Sequence, residues 1–244
     1  MYYKDFHGEK ISALGFGLLR LPTLDGDANC IDREKTAMLF DLAIKSGINY
    51  FDTAFTYQDG DSERAVGDVL SKYPRDSYLL ASKFYVAKGL PIEEVFEEQL
   101  RRCKTDYFDF YLLHGVQEQF IDAYLDEKND YIGYLKKQRE LGRIRYLGFS
   151  SHCAPEALEK FLDAYDGYDM GLIQLNFVDW TMLQAKRQYE ILTEHNIPVW
   201  VMEPLKGGRL AELDEESRTI LQSFAPDRSI ASWGMRFLQT LPNV

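Results

Sequence analysis

The chain has 244 residues, long enough for one large core or two small ones, and its 45% hydrophobic and 27% charged content is ordinary for a globular protein. Its net charge of −11 argues against nucleic acid, whose phosphates select basic surfaces. No run reaches the roughly 20 apolar residues of a membrane span. The opening Met-Tyr-Tyr-Lys-Asp-Phe lacks the apolar core of a signal peptide, and Cys30, Cys103 and Cys153 form no C-x-x-C pair. Reduced thiols in a cytoplasmic protein, with no metal site, are therefore expected.

Short apolar runs alternate with amphipathic segments along the whole chain. Ser12 to Leu19 reads as the first strand, and Asp32 to Ser46 as a helix with Met38, Leu39, Ala43 and Ile44 at helical spacing and Gly47 as its stop. Ile48 to Thr53 is the second strand, Ser62 to Lys72 a helix closed by Pro74, and Tyr78 to Lys83 the third strand. Pro91 to Cys103 is a helix with proline in its first turn and Glu93 and Glu94 near the positive end of its dipole. Phe108 to Leu113 is the fourth strand, followed by an acidic, tyrosine-containing loop with a short helix from Gly115 to Asn129. Tyr131 to Leu141 is helical, Ile144 to Phe149 is the fifth strand, and Pro155 to Tyr165 is the next helix. Leu172 to Phe177, Gln184 to His195 and Pro198 to Met202 complete the pattern, before helical segments near Glu215 to Phe224 and Ser229 to Leu238.

Strict alternation of near-continuous apolar strands with helices means an α/β protein with a parallel sheet covered by helices. Seven such units without a change of composition favour a (β/α)8 TIM barrel, whose prior is about eight strands in roughly 250 residues. Residues 1–244 are thus expected to be a single barrel domain lacking its last βα unit. The next strand would start at Pro242-Asn243-Val244, so the chain is expected to be part of a longer protein.

Asp52, Lys83 and His114 stand at the ends of successive strands, and Tyr57 on the loop after the first of them. In a barrel this end carries the chemistry. A lysine ammonium near a phenol favours the phenolate, and a carboxylate beside the lysine keeps it charged and aimed. A histidine at the next strand end can donate to a carbonyl oxygen. Together these groups suit carbonyl reduction, with Tyr57 as proton source and His114 orienting the carbonyl. No side chain donates hydride, so this reading implies a nicotinamide cofactor. Taken singly, each residue has an ordinary structural account. Their shared placement gives the set its weight.

The chain resembles the aldo-keto reductases. The resemblance is carried by Leu14-Gly15-Phe16-Gly17-Leu18-Leu19-Arg20-Leu21-Pro22, Phe51-Asp52-Thr53-Ala54 with Tyr57, and Ser62-Glu63 with Gly67. It continues through Ser82-Lys83, Leu112-Leu113-His114, Gly148-Phe149-Ser150-Ser151, Gln174-Leu175-Asn176 and Glu203-Pro204-Leu205-Lys206-Gly207-Gly208, from about Ile11 to the C-terminus. It implies that Tyr57 is the proton donor, that Lys83 and Asp52 tune it, and that His114 orients the carbonyl. It also implies a cofactor cradle of Gly17, Arg20, Asp52, Ser150, Ser151, Gln174, Met202, Glu203, Leu205, Lys206 and Gly207. In that cradle the serines and Gln174 would meet the carboxamide, and the loop from Glu203 would wrap the pyrophosphate. NADPH is the expected cofactor, with NADH the alternative, and a small carbonyl compound the substrate.

Three departures from the family pattern stand out. Ser151-His152 stand where many relatives have Asn and an apolar residue, Met202-Glu203 where an aromatic commonly ends the strand, and the segment that grips the 2′-phosphate is missing. A bacterial branch similar in Met202 to Gly208 and in Ser229-Ile230-Ala231-Ser232-Trp233 often carries a cysteine-rich, ferredoxin-like iron-sulfur domain. A longer parent chain would then have a redox partner acting through such a domain. Phe84, Tyr85 and Trp180 are the expected apolar walls of the substrate mouth. Two other readings remain open: a nicotinamide-binding sensor or docking subunit with little turnover, and a lyase using Lys83 as a Schiff base.

Overall fold

The computed structural model describes residues 1–27 and 29–244. It opens with an antiparallel hairpin, β1 (Tyr3–Phe6) and β2 (Glu9–Ser12). His7 and Gly8 turn it with φ of 51° and 85°, the pair of positive values that matches strand twist in a two-residue turn. Phe6 is buried against Phe110 and Tyr146, with ring centres 5.6 and 4.9 Å away.

The βα succession follows in chain order: β3 (Phe16–Gly17), α1 (Arg33–Lys45), β4 (Tyr50–Asp52), α2 (Asp61–Leu70), β5 (Leu79–Phe84), α3 (Ile92–Cys103) and β6 (Phe108–Val116). Next come α4 (Glu118–Tyr124), α5 (Tyr131–Glu140), β7 (Ile144–Ser151), α6 (Pro155–Ala164), β8 (Met170–Gln174), α7 (Asp179–Met182), α8 (Ala185–Glu194) and β9 (Val199–Met202). Helices α9 (Glu215–Phe224) and α10 (Ile230–Gln239) end the succession. Strands β3 to β9 lie in one sheet in chain order. The α/β class and the parallel βα repeat expected from the sequence are therefore present, with seven strands in this sheet among the described residues.

The chain divides into two compact units, Met1–His114 with Asp122–Leu147, and Gly115–Ile121 with Gly148–Val244. In the first, β3, β4, β5 and β6 pair in parallel, and every residue of β5 is buried, as in a sheet covered on both faces. Helix α1 is capped by Asp32, whose carboxylate accepts from the Lys35 amide at 3.0 Å. Helices α2 and α3 approach closely at Gly67, where an added Cβ would lie 2.2 Å from the Arg102 carbonyl oxygen. In the second unit β7, β8 and β9 are parallel, and the Val199 amide donates to the Asn243 carbonyl at 2.9 Å.

Three local expectations change. The run Ser12 to Leu19 is not one strand. It ends β2, turns, and re-forms as the two-residue β3, because the Ser12 hydroxyl donates to the Leu14 carbonyl and bends the chain. The sixth apolar run pairs as Met170–Gln174 rather than to Phe177. The Asn176 side-chain oxygen accepts from the amides of Val178 and Asp179 and starts the short helix α7 instead. Strand β6 continues to Val116, past the expected end at Leu113.

Candidate active site

In the first unit, Asp52 is the last residue of β4, where an apolar strand ends and the chain must turn. The turn is held from below: the hydroxyls of Thr53 and Ser62 lie 2.8 Å apart, and Ser62 also donates to the Leu18 carbonyl at 2.9 Å. Tyr57 starts the turn Tyr57–Gly60 in the loop after β4, as expected. Gln58, Asp59 and Gly60 all take positive φ there, and Gly60 faces the Arg102 guanidinium, which an added Cβ would meet at 2.4 Å.

Lys83 is fully buried. Its ammonium has three acceptors: Asp52 Oδ1 at 2.6 Å, the Thr53 carbonyl at 2.6 Å and Tyr57 Oη at 3.2 Å. Burial alone would draw its pKa down, but Asp52 and Tyr57 outweigh that and hold it above its ordinary value. Lys83 is therefore a fixed cation. Burial pushes the Tyr57 phenol up, Lys83 pulls it down and Asp52 pushes it up again, with a balance above the ordinary value of 10.0. The lowering by Lys83 expected from the sequence is present, but it does not win. His114, near the end of β6, places its ring centre 5.7 Å from that of Tyr57 and 5.4 Å from that of Tyr85. The four residues singled out at strand ends and in the adjoining loop thus meet within one unit.

Glu63 and Ser82, quoted above for the resemblance, belong to a buried polar network whose other members, Gln99 and Arg102, the sequence reading did not single out. The two hydrogens of the Gln99 amide nitrogen have three acceptors within reach, Glu63 at 2.6 Å, the Ser82 hydroxyl at 2.7 Å and the Lys83 carbonyl at 3.1 Å. The Ser82 hydroxyl and the Arg102 guanidinium also donate to Glu63, at 2.7 and 3.2 Å. Arg102 stacks 4.5 Å from the Phe55 ring, two residues before Tyr57. The available signal was a glutamine on the apolar stripe of α3, between Val95 and Cys103.

Of the expected cofactor residues in this unit, Gly17 lies opposite Asp52 in the sheet register, and nothing stands within 4 Å of where its Cβ would be. Arg20 is exposed in the turn after β3. Asp52 Oδ2 is buried without a hydrogen-bond partner. An open backbone beside an unsatisfied carboxylate oxygen fits a polar ligand such as the ribose end of a nicotinamide cofactor. Phe84 does not face open space. It is fully buried against Tyr131 of α5, which removes it from the expected substrate walls, because successive residues of a covered strand point to opposite faces.

In the second unit Ser150 and Ser151 are buried at the end of β7. Ser150 Oγ accepts from the Gly115 amide at 2.8 Å, and Ser151 Oγ lies 2.8 Å from Cys153 Sγ. Gln174 ends β8 opposite Met202 of β9. Gln174 and Asn176 donate to Asp179 Oδ2 at 2.9 and 2.6 Å, and Lys206 reaches Asp179 Oδ1 at 2.5 Å. Lys206, expected to face phosphate, is thus ion-paired. Glu203, Lys206 and Gly207 take φ of 53°, 48° and 64°, and the loop is closed by amides of Lys206 and Gly208 donating to the carbonyls of Glu203 and Leu205. Trp180 packs on Tyr189 and Phe237. Among the described residues no group of three His, Cys, Asp or Glu side chains could hold a metal ion, and no helix is long and apolar enough to cross a membrane.

The architecture is that of an α/β protein built from parallel βα repeats. The model of the aldo/keto reductase family matches residues 13–239, and the chain belongs to this family of NAD(P)H-dependent oxidoreductases. It is 28% identical to YqkF, an uncharacterized oxidoreductase of Bacillus subtilis, over 96% of this chain and 81% of that protein. It is 26% identical to the NADH-specific methylglyoxal reductase of Escherichia coli, over 88% of this chain and 68% of that one. The solved holo form of the aldo-keto reductase AKR11C1 of Bacillus halodurans superposes with a TM-score of 0.78 at 26% identity, covering 97% of this chain and 81% of that one.

Proposed function

We propose that this chain reduces an aldehyde or ketone to the alcohol, with Tyr57 giving the proton to the carbonyl oxygen. The observation that carries the reading is the buried Lys83 ammonium, bonded at once to Asp52 at 2.6 Å and Tyr57 at 3.2 Å. Lys83 holds the phenol oxygen in place and stabilises the negative charge that develops on it as the proton leaves. Asp52 keeps Lys83 charged where burial opposes charge. His114, with its ring beside that of Tyr57, orients the carbonyl. The phenol keeps its proton through neutral pH, as a proton donor must. A nicotinamide cofactor supplies the hydride when bound. In the first unit Gly17, Arg20 and Asp52 would hold it. The same cofactor serves the reading in either form, NADPH or NADH.

The test is a pair of measurements on the 244-residue chain and on its Tyr57→Phe variant. Tryptophan fluorescence titrated with NADPH and with NADH reads binding, and cofactor absorbance with methylglyoxal or 4-nitrobenzaldehyde reads turnover. The expected result is saturable quenching in both proteins and carbonyl reduction in the parent alone. Equal turnover in the two would overturn the role of Tyr57. Binding without turnover in either would favour a nicotinamide-binding sensor.

A further inference from the structure

Strands β5 and β6 pair in register as far as Lys83 with Leu112 and Phe84 with Leu113. One residue later the two chains part. β5 leaves through Tyr85 into a 3-10 turn, Val86–Lys88, while β6 goes on through His114. A parting of this kind frees backbone groups that need partners if they are to stay buried. One side chain supplies them. The Tyr124 hydroxyl donates to the His114 carbonyl at 2.6 Å, has the Phe84 carbonyl as a second acceptor at 3.3 Å, and accepts from the Val86 amide at 3.2 Å. Tyr124 is the last residue of α4 and is 1% exposed. Its ring centre lies 6.4 Å from that of Tyr131. A phenol has only two side-chain torsions, so these hydrogen bonds hold its oxygen closely.

We infer that Tyr124 is a positioning residue for carbonyl reduction. Its hydroxyl ties the end of the strand that carries Lys83 to the backbone of His114, and so fixes the imidazole relative to Tyr57 and Lys83. The inference rests on the roles proposed above for those residues. The effect of Tyr124 passes through two backbone carbonyls and one amide. Burial holds its phenol well above the ordinary value, so it remains a hydroxyl donor across the pH range in which the enzyme would work. An error of about 1 Å in a reacting group can lower a rate by about a hundredfold, and a strand end released from its tie can move by that much.

The test compares the parent chain with Tyr124→Phe, which keeps the ring and removes the oxygen, and with Tyr131→Leu, which loosens the packing and leaves the oxygen. Amide hydrogen exchange and histidine-ring NMR signals are followed alongside turnover of 4-nitrobenzaldehyde and binding of NADPH. In Tyr124→Phe the Val86 amide is expected to exchange about tenfold faster while the Leu80 amide inside β5 is unchanged, and the His114 ring signals are expected to shift. The same variant is expected to lose about ten- to a hundredfold in kcat, with KM and NADPH affinity kept within about twofold. Tyr131→Leu is expected to lower the Tm and keep kcat.

Unchanged Val86 exchange and unchanged His114 signals in Tyr124→Phe would overturn the inference. So would an equal loss of kcat in Tyr131→Leu, which would assign the effect to packing, or a kcat for Tyr124→Phe equal to that of an active parent. If the parent chain binds NADPH but reduces no carbonyl, the proposed function fails, and the exchange and ring signals alone decide whether Tyr124 sets His114.

Discussion

The Lys83 ammonium lies 4.7 Å from the ring centre of Tyr57 and 3.2 Å from its oxygen, so one buried cation faces both the π-cloud and the hydroxyl of one side chain. Both contacts favour charge separation, yet burial is the larger influence on Tyr57 and keeps it protonated above the ordinary phenol range. The proton is therefore available for reduction at every ordinary pH. For a donor with a raised pKa, the reduction rate should be flat through neutral pH and fall only above about pH 10. Oxidation of the alcohol needs the phenolate and should rise across the same interval. Initial rates in both directions between pH 6 and 10.5 check this. A reduction rate that halves below pH 8 with the protein still folded would mean that Lys83 outweighs burial at Tyr57.

Asp52→Asn should remove both stability and turnover. Lys83 is fully buried and Asp52 16% exposed, and breaking such a pair leaves a buried cation without its counter-ion. Losses of about 3 kcal/mol are usual for that change. The Thr53 carbonyl remains as an acceptor, so the chain should fold. Urea denaturation at neutral pH reads the loss, and a variant as stable as the parent would show that Asp52 does not hold Lys83.

Glu63→Gln should gain on the parent as pH rises. Burial raises the Glu63 carboxyl above its ordinary 4.5, against the hydrogen bonds from Ser82, Gln99 and Arg102. A group raised on folding contributes stability fully present below its unfolded pKa and lost as pH rises through its folded value. The variant does not titrate, and Arg102 keeps a partner in Glu98 at 2.7 Å. The Tm difference, variant minus parent, should therefore be more positive at pH 7 than at pH 4. A difference independent of pH would mean that Glu63 is not raised.

Gly67→Ala should destabilise the packing of α2 on α3. Alanine gains about 1 kcal/mol over glycine inside a helix. Here its Cβ would sit 2.2 Å from the Arg102 carbonyl oxygen, a backbone atom that moves only if the helices separate. Overpacking of that kind costs about 3 kcal/mol, so the net loss should be about 2 kcal/mol. Thermal unfolding of the variant decides it, and a gain in Tm would show that the helices yield freely.

Asp52, Lys83 and His114 were legible because each sits where an apolar run gives way to a reactive residue, and in a sheet buried on both faces such breaks are few. Helix α3 was legible from its apolar period and its proline start. The hairpin of β1 and β2 was not, since in these four-residue strands buried and exposed side chains do not alternate. Phe84 was misplaced because adjacency to Lys83 in sequence puts it on the opposite face of the sheet. Tyr124 and the pair of Asp179 with Lys206 could not be read at all. Their importance lies in where distant backbone and side-chain atoms meet, 38 residues apart for Tyr124 and Val86 and 27 for Lys206 and Asp179.

That last pair makes a prediction of opposite pH sign to Glu63. Asp179 is fully buried, and its two oxygens accept from Lys206, Gln174 and Asn176. Burial raises its carboxyl, but the three donors outweigh burial and hold it below its ordinary 3.8. A group depressed on folding contributes stability that is present above its unfolded pKa and lost as pH falls through its folded value. Asp179→Asn replaces an acceptor oxygen by a donor among donors, and should lose about 2 kcal/mol at neutral pH. Lys206 is 26% exposed and can turn toward water, which keeps the loss below that of a sealed ion pair. The gap between parent and variant should narrow as pH falls below 3.8, where the parent carboxylate takes up its proton. Thermal unfolding from pH 3 to pH 7 reads the gap. A gap that stays constant to pH 3 would mean that shape rather than charge holds Lys206 at Asp179, and one that widens on acidification would reverse the sign assigned to this carboxyl.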